Sequence, residues 1–193
     1  ISNEYFKVPY NLKNLSLAVK AINLLGFSIK TSLETLKPTP GRYNIYNNKE
    51  NGKVIIDFAH TPDAIENISK QLKETYTDKM LIVVYGCGGD RDKAKRPLMG
   101  KAASLYSDFI YVTNDNPRFE DPLDIINDSV VGIKEVNFQI IEDRAIAIKT
   151  AIEMFPSETI LIAGKGHEEY IDQNGSKIYF SDKEEVIKGT RDD

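Results

Sequence analysis

Four short stretches of the chain combine charge, glycine and restricted backbone in ways that core packing does not require. The sharpest is Asp115-Asn116-Pro117-Arg118, shortly after the strand-like residues 109–113. Proline fixes its own φ and drives the residue before it out of helical geometry, so Arg118 stands on a stiff stem. A guanidinium held that way can grip a carboxylate through two parallel hydrogen bonds, which an ammonium cannot do. The plain alternative is a surface arginine in a turn. The second stretch, "GCGGDRDKAKRP" (86–97), sets three glycines and a basic cluster between apolar residues and a helical pattern. Exposed amides beside Arg91 would suit an anion. Neither G-x-x-x-x-G-K-[ST] nor a full dinucleotide fingerprint is present, and a flexible, solvated loop is the competing explanation. In "DFAHTPDA" (57–64), Asp57 could accept ribose hydroxyls and His60 could face a phosphate; alternatively Thr61 caps a helix and His60 merely packs. In "GKGHEEY" (164–170), Glu168 could bind an ammonium group, or the stretch is an ordinary turn. The single cysteine, Cys87, has no evident base and reads as a small buried residue. With two histidines in the chain, a histidine-based metal site is not expected, and no metal ligand is assigned.

The elements that must position these residues are legible from periodicity. Residues 11–25 carry Leu12, Leu15, Ala18, Val19, Ile22 and Leu25 at helical spacing, with Gly26 as a C-terminal cap. A second short helix is expected over 33–36, and "KPTPGRYN" then breaks the pattern, placing a domain boundary near Pro40. Beyond it, a hairpin turning at Asn51-Gly52 leads into repeated units of apolar strand, polar loop and amphipathic helix. Strands are expected over 54–57, 81–85, 109–113, 138–141 and 159–163. Helices are expected to start near Pro62, Arg96, Pro122, Asp143 and Asp182, and Thr61-Pro62 and Asp121-Pro122 have the form of a cap followed by an N1 proline. A terminal hairpin should turn at Asn174-Gly175. Strand–helix alternation predicts an α/β fold, a Rossmann-like and mainly parallel sheet with flanking helices. Ligands of such sheets sit beyond the carboxyl ends of the strands, and all four stretches follow strands. They are therefore expected on one rim.

Composition narrows the setting. The 193 residues, 41% hydrophobic and 28% charged, suit a soluble globular protein. A net charge of −4 leaves no electrostatic footprint for nucleic acid. No apolar run is long enough for membrane insertion. The N-terminus lacks the basic-then-apolar plan of a signal peptide, and one cysteine fits a reducing cytosol, so a cytoplasmic location is expected. The chain begins at Ile1 without an initiator Met, as a piece of a longer protein would.

In order and spacing, Gly41-Arg42, "DFAHTPDA", "GCGGDRDKAKRPLMG", "TNDNPR", "EDPLDII" and "AGKGHEEY" resemble the C-terminal portion of the Mur ligases. The likeness is to the branch that adds the third residue of the peptidoglycan stem peptide, in its diaminopimelate-adding form. It covers nearly everything from Gly41 to about Gly189. It implies that 1–40 is a helical tail of the family's central ATPase domain and that 41–193 is the C-terminal domain. It implies ATP-driven amide bond formation between UDP-N-acetylmuramoyl-L-Ala-D-Glu and a diamino acid, meso-2,6-diaminopimelate or a close analogue. Carried over position by position, Arg91, Asp115, Asn116, Pro117, Arg118, Gly164 and Glu168 would bind the amino acid. Arg42, Asp57 and His60 would help hold ATP. The family's P-loop, modified catalytic lysine, main magnesium ligands and UDP-binding domain lie upstream of these motifs. The expectation is thus a fragment that works with upstream domains of the same enzyme and is inactive alone, with ATP and magnesium bound mainly elsewhere. Two alternatives remain open from sequence: a folylpolyglutamate synthetase-like ligase, and a non-catalytic binding module of the same fold.

Overall fold

A computed structural model of the chain describes residues 4–28 and 35–191. The chain forms two compact units, Ile1–Thr39 and Pro40–Asp193. In the first, helix α1 (Pro9–Leu24) starts on a proline, and Gly26 follows it at φ 81, the left-handed geometry that glycine adopts without penalty. The short helix expected over 33–36 begins outside the described residues.

The second unit is built on a six-stranded sheet in the order β1-β2-β6-β3-β4-β5. Its strands are β1 (Asn44–Asn47), β2 (Lys53–Asp57), β3 (Leu81–Tyr85), β4 (Phe109–Val112), β5 (Asn137–Ile140) and β6 (Thr159–Ala163). Only β1 runs antiparallel to its neighbour; every other pairing is parallel. Strands β3 (LIVVY) and β6 (TILIA) are buried along their whole length, as strands covered on both faces must be. One face, carrying Val54, Ile56, Ile82, Val84, Ile160 and Ile162, packs on α5 (Arg144–Met154) and α6 (Asp182–Thr190) through Ala147, Ile148, Ala151, Ile152 and Val186. The alternate residues face α2 (Pro62–Thr75), α3 (Lys95–Ser104) and α4 (Pro122–Val130), which lie side by side. The architecture is the Rossmann-like sheet with flanking helices that the alternation implied.

Helix starts follow the caps. Thr61 Oγ1 accepts from the Ala64 amide at 3.3 Å, Asp121 accepts from Leu123 and Asp124, and Asp143 accepts from Ile146 at 3.0 Å. Strand β5 sits one residue earlier than the apolar pattern suggested. It is the edge strand, exposed throughout, and ladder pairing of Asn137 with Phe109 sets its start where burial does not. A separate hairpin, β7 (Tyr170–Gln173) and β8 (Ser176–Tyr179), turns at Asn174-Gly175, both at positive φ. It stands apart from the main sheet, and an isolated bridge joins its Gln173 to Arg118 in the loop after β4.

Candidate functional site

The loops after β2, β3, β4 and β6 surround a cavity of about 550 Å³. Its lining includes Phe58, His60 and Thr61 from the first loop and Gly86, Cys87, Gly88 and Arg91 from the second. Asp115, Asn116 and Arg118 come from the third, and Gly164 and Glu168 from the fourth. The parallel sheet brings all four loops to one end, so the expected rim exists. Of the residues singled out by sequence, Arg91, Asp115, Asn116, Arg118, Gly164, Glu168 and His60 line this cavity, whereas Pro117, Arg42 and Asp57 do not.

The glycine half of the second stretch is packed, while residues 90–95 are exposed, so the solvated reading holds only for its charged half. Gly86, Cys87 and Gly89 are buried, and the loop interlocks with the Asn-Pro bend. The Gly89 amide donates to the Asn116 carbonyl at 2.9 Å, and a Cβ at Gly89 would lie 1.9 Å from the Pro117 carbonyl oxygen. The Asp90 amide donates to Glu120 Oε1 at 2.6 Å. These two amides are therefore spent on holding loops together and are not presented to an anion. Pro117 serves the same contact rather than the cavity. Cys87 donates to Ser129 Oγ at 3.7 Å, and burial pushes its thiol up to about 11, which keeps it protonated and unreactive at neutral pH.

Arg118 occupies the left-handed region at φ 53. Its amide donates to the Asp172 carbonyl at 2.9 Å, and its own carbonyl accepts from Asn174 at 2.7 Å, so the β7–β8 hairpin pins the bend. Nη1 donates to the Gly89 carbonyl at 2.6 Å and Nε lies 3.9 Å from Asp172 Oδ2. No described residue accepts from Nη2. The guanidinium is thus anchored on one side and open on the other.

Asn116 is engaged at both ends of its amide. Its Oδ1 accepts from Lys165 Nζ and from the Asp172 amide, each at 2.9 Å, while Nδ2 donates to Glu168 Oε2 at 3.0 Å. Lys165 is fully buried and also lies 3.5 Å from Glu168 Oε2 and 3.8 Å from Asp115 Oδ1. Burial pulls its ammonium below the ordinary lysine range, against the opposing pull of Asp115 and Glu168. Behind it, Arg144 and Asp182 form a fully buried fork, Nε–Oδ1 at 2.7 Å and Nη2–Oδ2 at 2.8 Å. Arg144 Nη2 also donates to the Ala163 carbonyl at 3.0 Å, which ties α5 and α6 to the end of β6. Sequence reasoning gave no site role to Lys165, Arg144, Asp182 or the hairpin. A charged residue between two glycines in "GKGHE" was the one available signal for Lys165.

Beside the cavity, Arg42 lies 4.7 Å over the Phe58 ring, with the His60 ring 4.6 Å and the His167 ring 5.4 Å from Phe58. His60 Nδ1 bonds the Phe58 carbonyl oxygen at 2.8 Å. Asp57 Oδ2 accepts from the Tyr43 amide at 2.9 Å. Burial raises the Asp57 carboxyl, opposed by that amide and by Arg42. Its first duty is therefore to tie the end of β2 to the start of β1. Among the described residues, no group of three or more His, Cys, Asp or Glu side chains could hold a metal ion. No helix among them is long and apolar enough to cross a membrane.

The model of the Mur ligase, glutamate ligase domain, matches residues 41–166, most of the second unit and more than half of the chain. The chain belongs to the Mur ligase family. Among curated relatives, this Mur ligase chain is 43% identical over 183 residues to UDP-N-acetylmuramoyl-L-alanyl-D-glutamate–2,6-diaminopimelate ligase 2 of Clostridium acetobutylicum, covering 92% of the chain and 38% of the relative. It is 44% identical over 188 residues to the ligase of that name from Clostridium botulinum, covering 93% of the chain and 39% of the relative. It spans well under half of either. A solved structure of a UDP-N-acetylmuramoyl-L-alanyl-D-glutamate–2,6-diaminopimelate ligase superposes with a TM-score of 0.74 at 38% identity, over 94% of this chain and 38% of that one. Folylpolyglutamate synthase from Thermotoga maritima superposes at 0.61 with 22% identity, over 81% of this chain and 36% of that one, a likeness of fold alone. The folylpolyglutamate alternative is accordingly not favoured.

Proposed function

We propose that this Mur ligase chain is the amino-acid-selecting part of an ATP-dependent ligase of peptidoglycan synthesis. The reaction joins a diamino acid, meso-2,6-diaminopimelate or a close analogue, to UDP-N-acetylmuramoyl-L-Ala-D-Glu in the cytoplasm. One observation carries this reading: Arg91, Arg118, Asp115 and Glu168 line one cavity. Two guanidiniums and two carboxylates are the charge complement of a molecule with two carboxylates and two ammonium groups. Arg118, anchored through Nη1 and open at Nη2, would meet the distal carboxylate; Glu168 would meet the distal ammonium. The names of the relatives, which include 2,6-diaminopimelate, support the same substrate.

Arg42, Asp57 and His60 would face the nucleotide. Arg42 and His60 are exposed and both lie against the Phe58 ring, a cluster of cation, imidazole and aromatic ring that suits a phosphate and a purine. ATP supplies the phosphoryl group that activates the acceptor carboxylate, with magnesium screening the phosphates. The part of this chain is to bind the incoming amino acid, orient its amine and exclude water as the domain closes. No residue here is assigned to magnesium. In the longer protein that carries these residues, ATP-dependent transfer of meso-diaminopimelate and of L-lysine onto UDP-N-acetylmuramoyl-L-Ala-D-Glu can be followed by product mass. A clear preference for diaminopimelate is expected. Equal kcat/KM for the two amino acids, or no transfer of either, overturns the reading.

A further inference from the structure

Lys165 has no role in the account so far, and its position is costly. The side chain is fully buried, beside a cavity it does not line. Burying an ammonium demands partners, and replacing buried ion pairs by apolar residues is often neutral or stabilising, so fold stability does not explain the choice of lysine. Its partners are three residues that do line the cavity: Asn116, Glu168 and Asp115.

We propose that Lys165 is a positioning residue for amino-acid selection: its ammonium fixes the Asn116 amide, and Asn116 in turn fixes the Glu168 carboxylate that meets the ammonium of the substrate. The inference rests on the diamino-acid reading above and deepens it. Asn116 Oδ1 receives two donors, Lys165 Nζ and the Asp172 amide. A flipped amide would set its NH₂ against both, so the Nδ2 end must point to Glu168 Oε2. Glu168 Oε2 is then held by Asn116 and approached by Lys165, while no described residue donates to Oε1. One carboxylate oxygen is tied and the other is left for the cavity. Charge follows the same plan. Asp115, Glu168 and Lys165 together carry one net negative charge, and Arg144 and Asp182 behind them neutralise each other. That end of the cavity is set to accept one ammonium. Without Lys165 the two carboxylates repel, the amide can flip and Glu168 can turn.

The test compares meso-diaminopimelate with 2-aminopimelate, which keeps the distal carboxylate and lacks the distal ammonium, in the full-length ligase. In Lys165→Met the ratio of kcat/KM for the two should fall by about tenfold or more, as in Glu168→Gln. The loss should lie in KM for the amino acid, with KM for ATP unchanged. A structural role alone would lower the melting temperature and the active fraction and leave that ratio as it was. If Lys165→Met does not accumulate as folded protein, Asn116→Asp serves. It keeps oxygen acceptors for Lys165 and the Asp172 amide, and it sets a carboxylate oxygen where the donor to Glu168 stood, so the added charge repels Glu168 from its place and the same fall is expected. A wild-type ratio in either folded variant overturns the proposal while the diamino-acid reading stands. A wild-type enzyme that does not prefer diaminopimelate over 2-aminopimelate overturns both.

Discussion

Arginine seldom sits in the left-handed region, yet Arg118 does, at φ 53. Such a conformation costs on the order of 1–3 kcal/mol and persists where surroundings over-determine it. Here the β7–β8 hairpin does so, accepting from the Arg118 amide and donating to its carbonyl. The sequence pointed to Pro117 as the source of stiffness; the strain lies instead at residue 118 itself, and a hairpin more than fifty positions later holds it. The side chain lines the cavity while its Nη1 holds the Gly89 carbonyl, and no described residue accepts from Nη2. A hydrogen bond to a charged group contributes about 1.5–3 kcal/mol. Since about 1.4 kcal/mol is one decade, Arg118→Ala should lower kcat/KM for diaminopimelate at least tenfold in the full-length ligase. Arg118→Lys should recover little, because an ammonium cannot serve both directions in one plane. L-lysine, without the distal carboxylate, should lose far less from either change. A constant ratio between the two amino acids across wild type and both variants would return Arg118 to the rank of a turn residue.

Between elements, the second and third loops are joined by a network centred on Glu120. Arg96, almost wholly buried at the start of α3, donates to Glu120 Oε1 at 2.7 Å and to Asp128 Oδ2 on α4 at 2.9 Å. Lys93 Nζ lies 2.9 Å from the other Glu120 oxygen, and the Asp90 amide donates from the glycine loop. The Arg96 guanidinium first, then Lys93 and the Asp90 amide, hold the Glu120 carboxyl down to about 2, from an ordinary value of 4.5. A folded-state value below the unfolded one means that the contribution is present above about pH 4.5 and is lost as pH falls toward 2. Glu120→Gln should therefore melt below wild type at neutral pH, and the gap should close between pH 4.5 and 2. Melting curves across that range check it, and a gap independent of pH would refute it. Salt should narrow the gap only in part, because Lys93 is exposed and screened while Arg96 is not.

At the scale of the molecule, what was readable from sequence tracks how local the cause is. Strands β3 and β6 kept their expected bounds because both faces are buried and loops bound them sharply. The four site loops were legible because a parallel sheet can only deliver them to one end. Lys165 with Asn116, and Arg144 with Asp182, were not. They pair across long stretches of chain, and a buried charge leaves no periodic mark. The tie between the Asp57 carboxylate and the Tyr43 amide was not legible either, because it too joins distant parts of the chain. The same distinction governs what the chain can do by itself. The second unit has its own sheet, both faces covered by helices, and buried ion pairs closed within it, so it should fold cooperatively without help. No G-x-x-x-x-G-K-[ST] loop occurs in the sequence, and the Gly89 and Asp90 amides of the glycine loop are taken up by Asn116 and Glu120. The purified chain should thus unfold in one transition by calorimetry and turn over no ATP in the presence of magnesium. ATP turnover should appear only when these residues are linked to the rest of the ligase and both substrates are supplied. Turnover by the chain alone, above that of a contaminant control purified from cells lacking it, would mean that a phosphoryl-transfer site lies within these 193 residues.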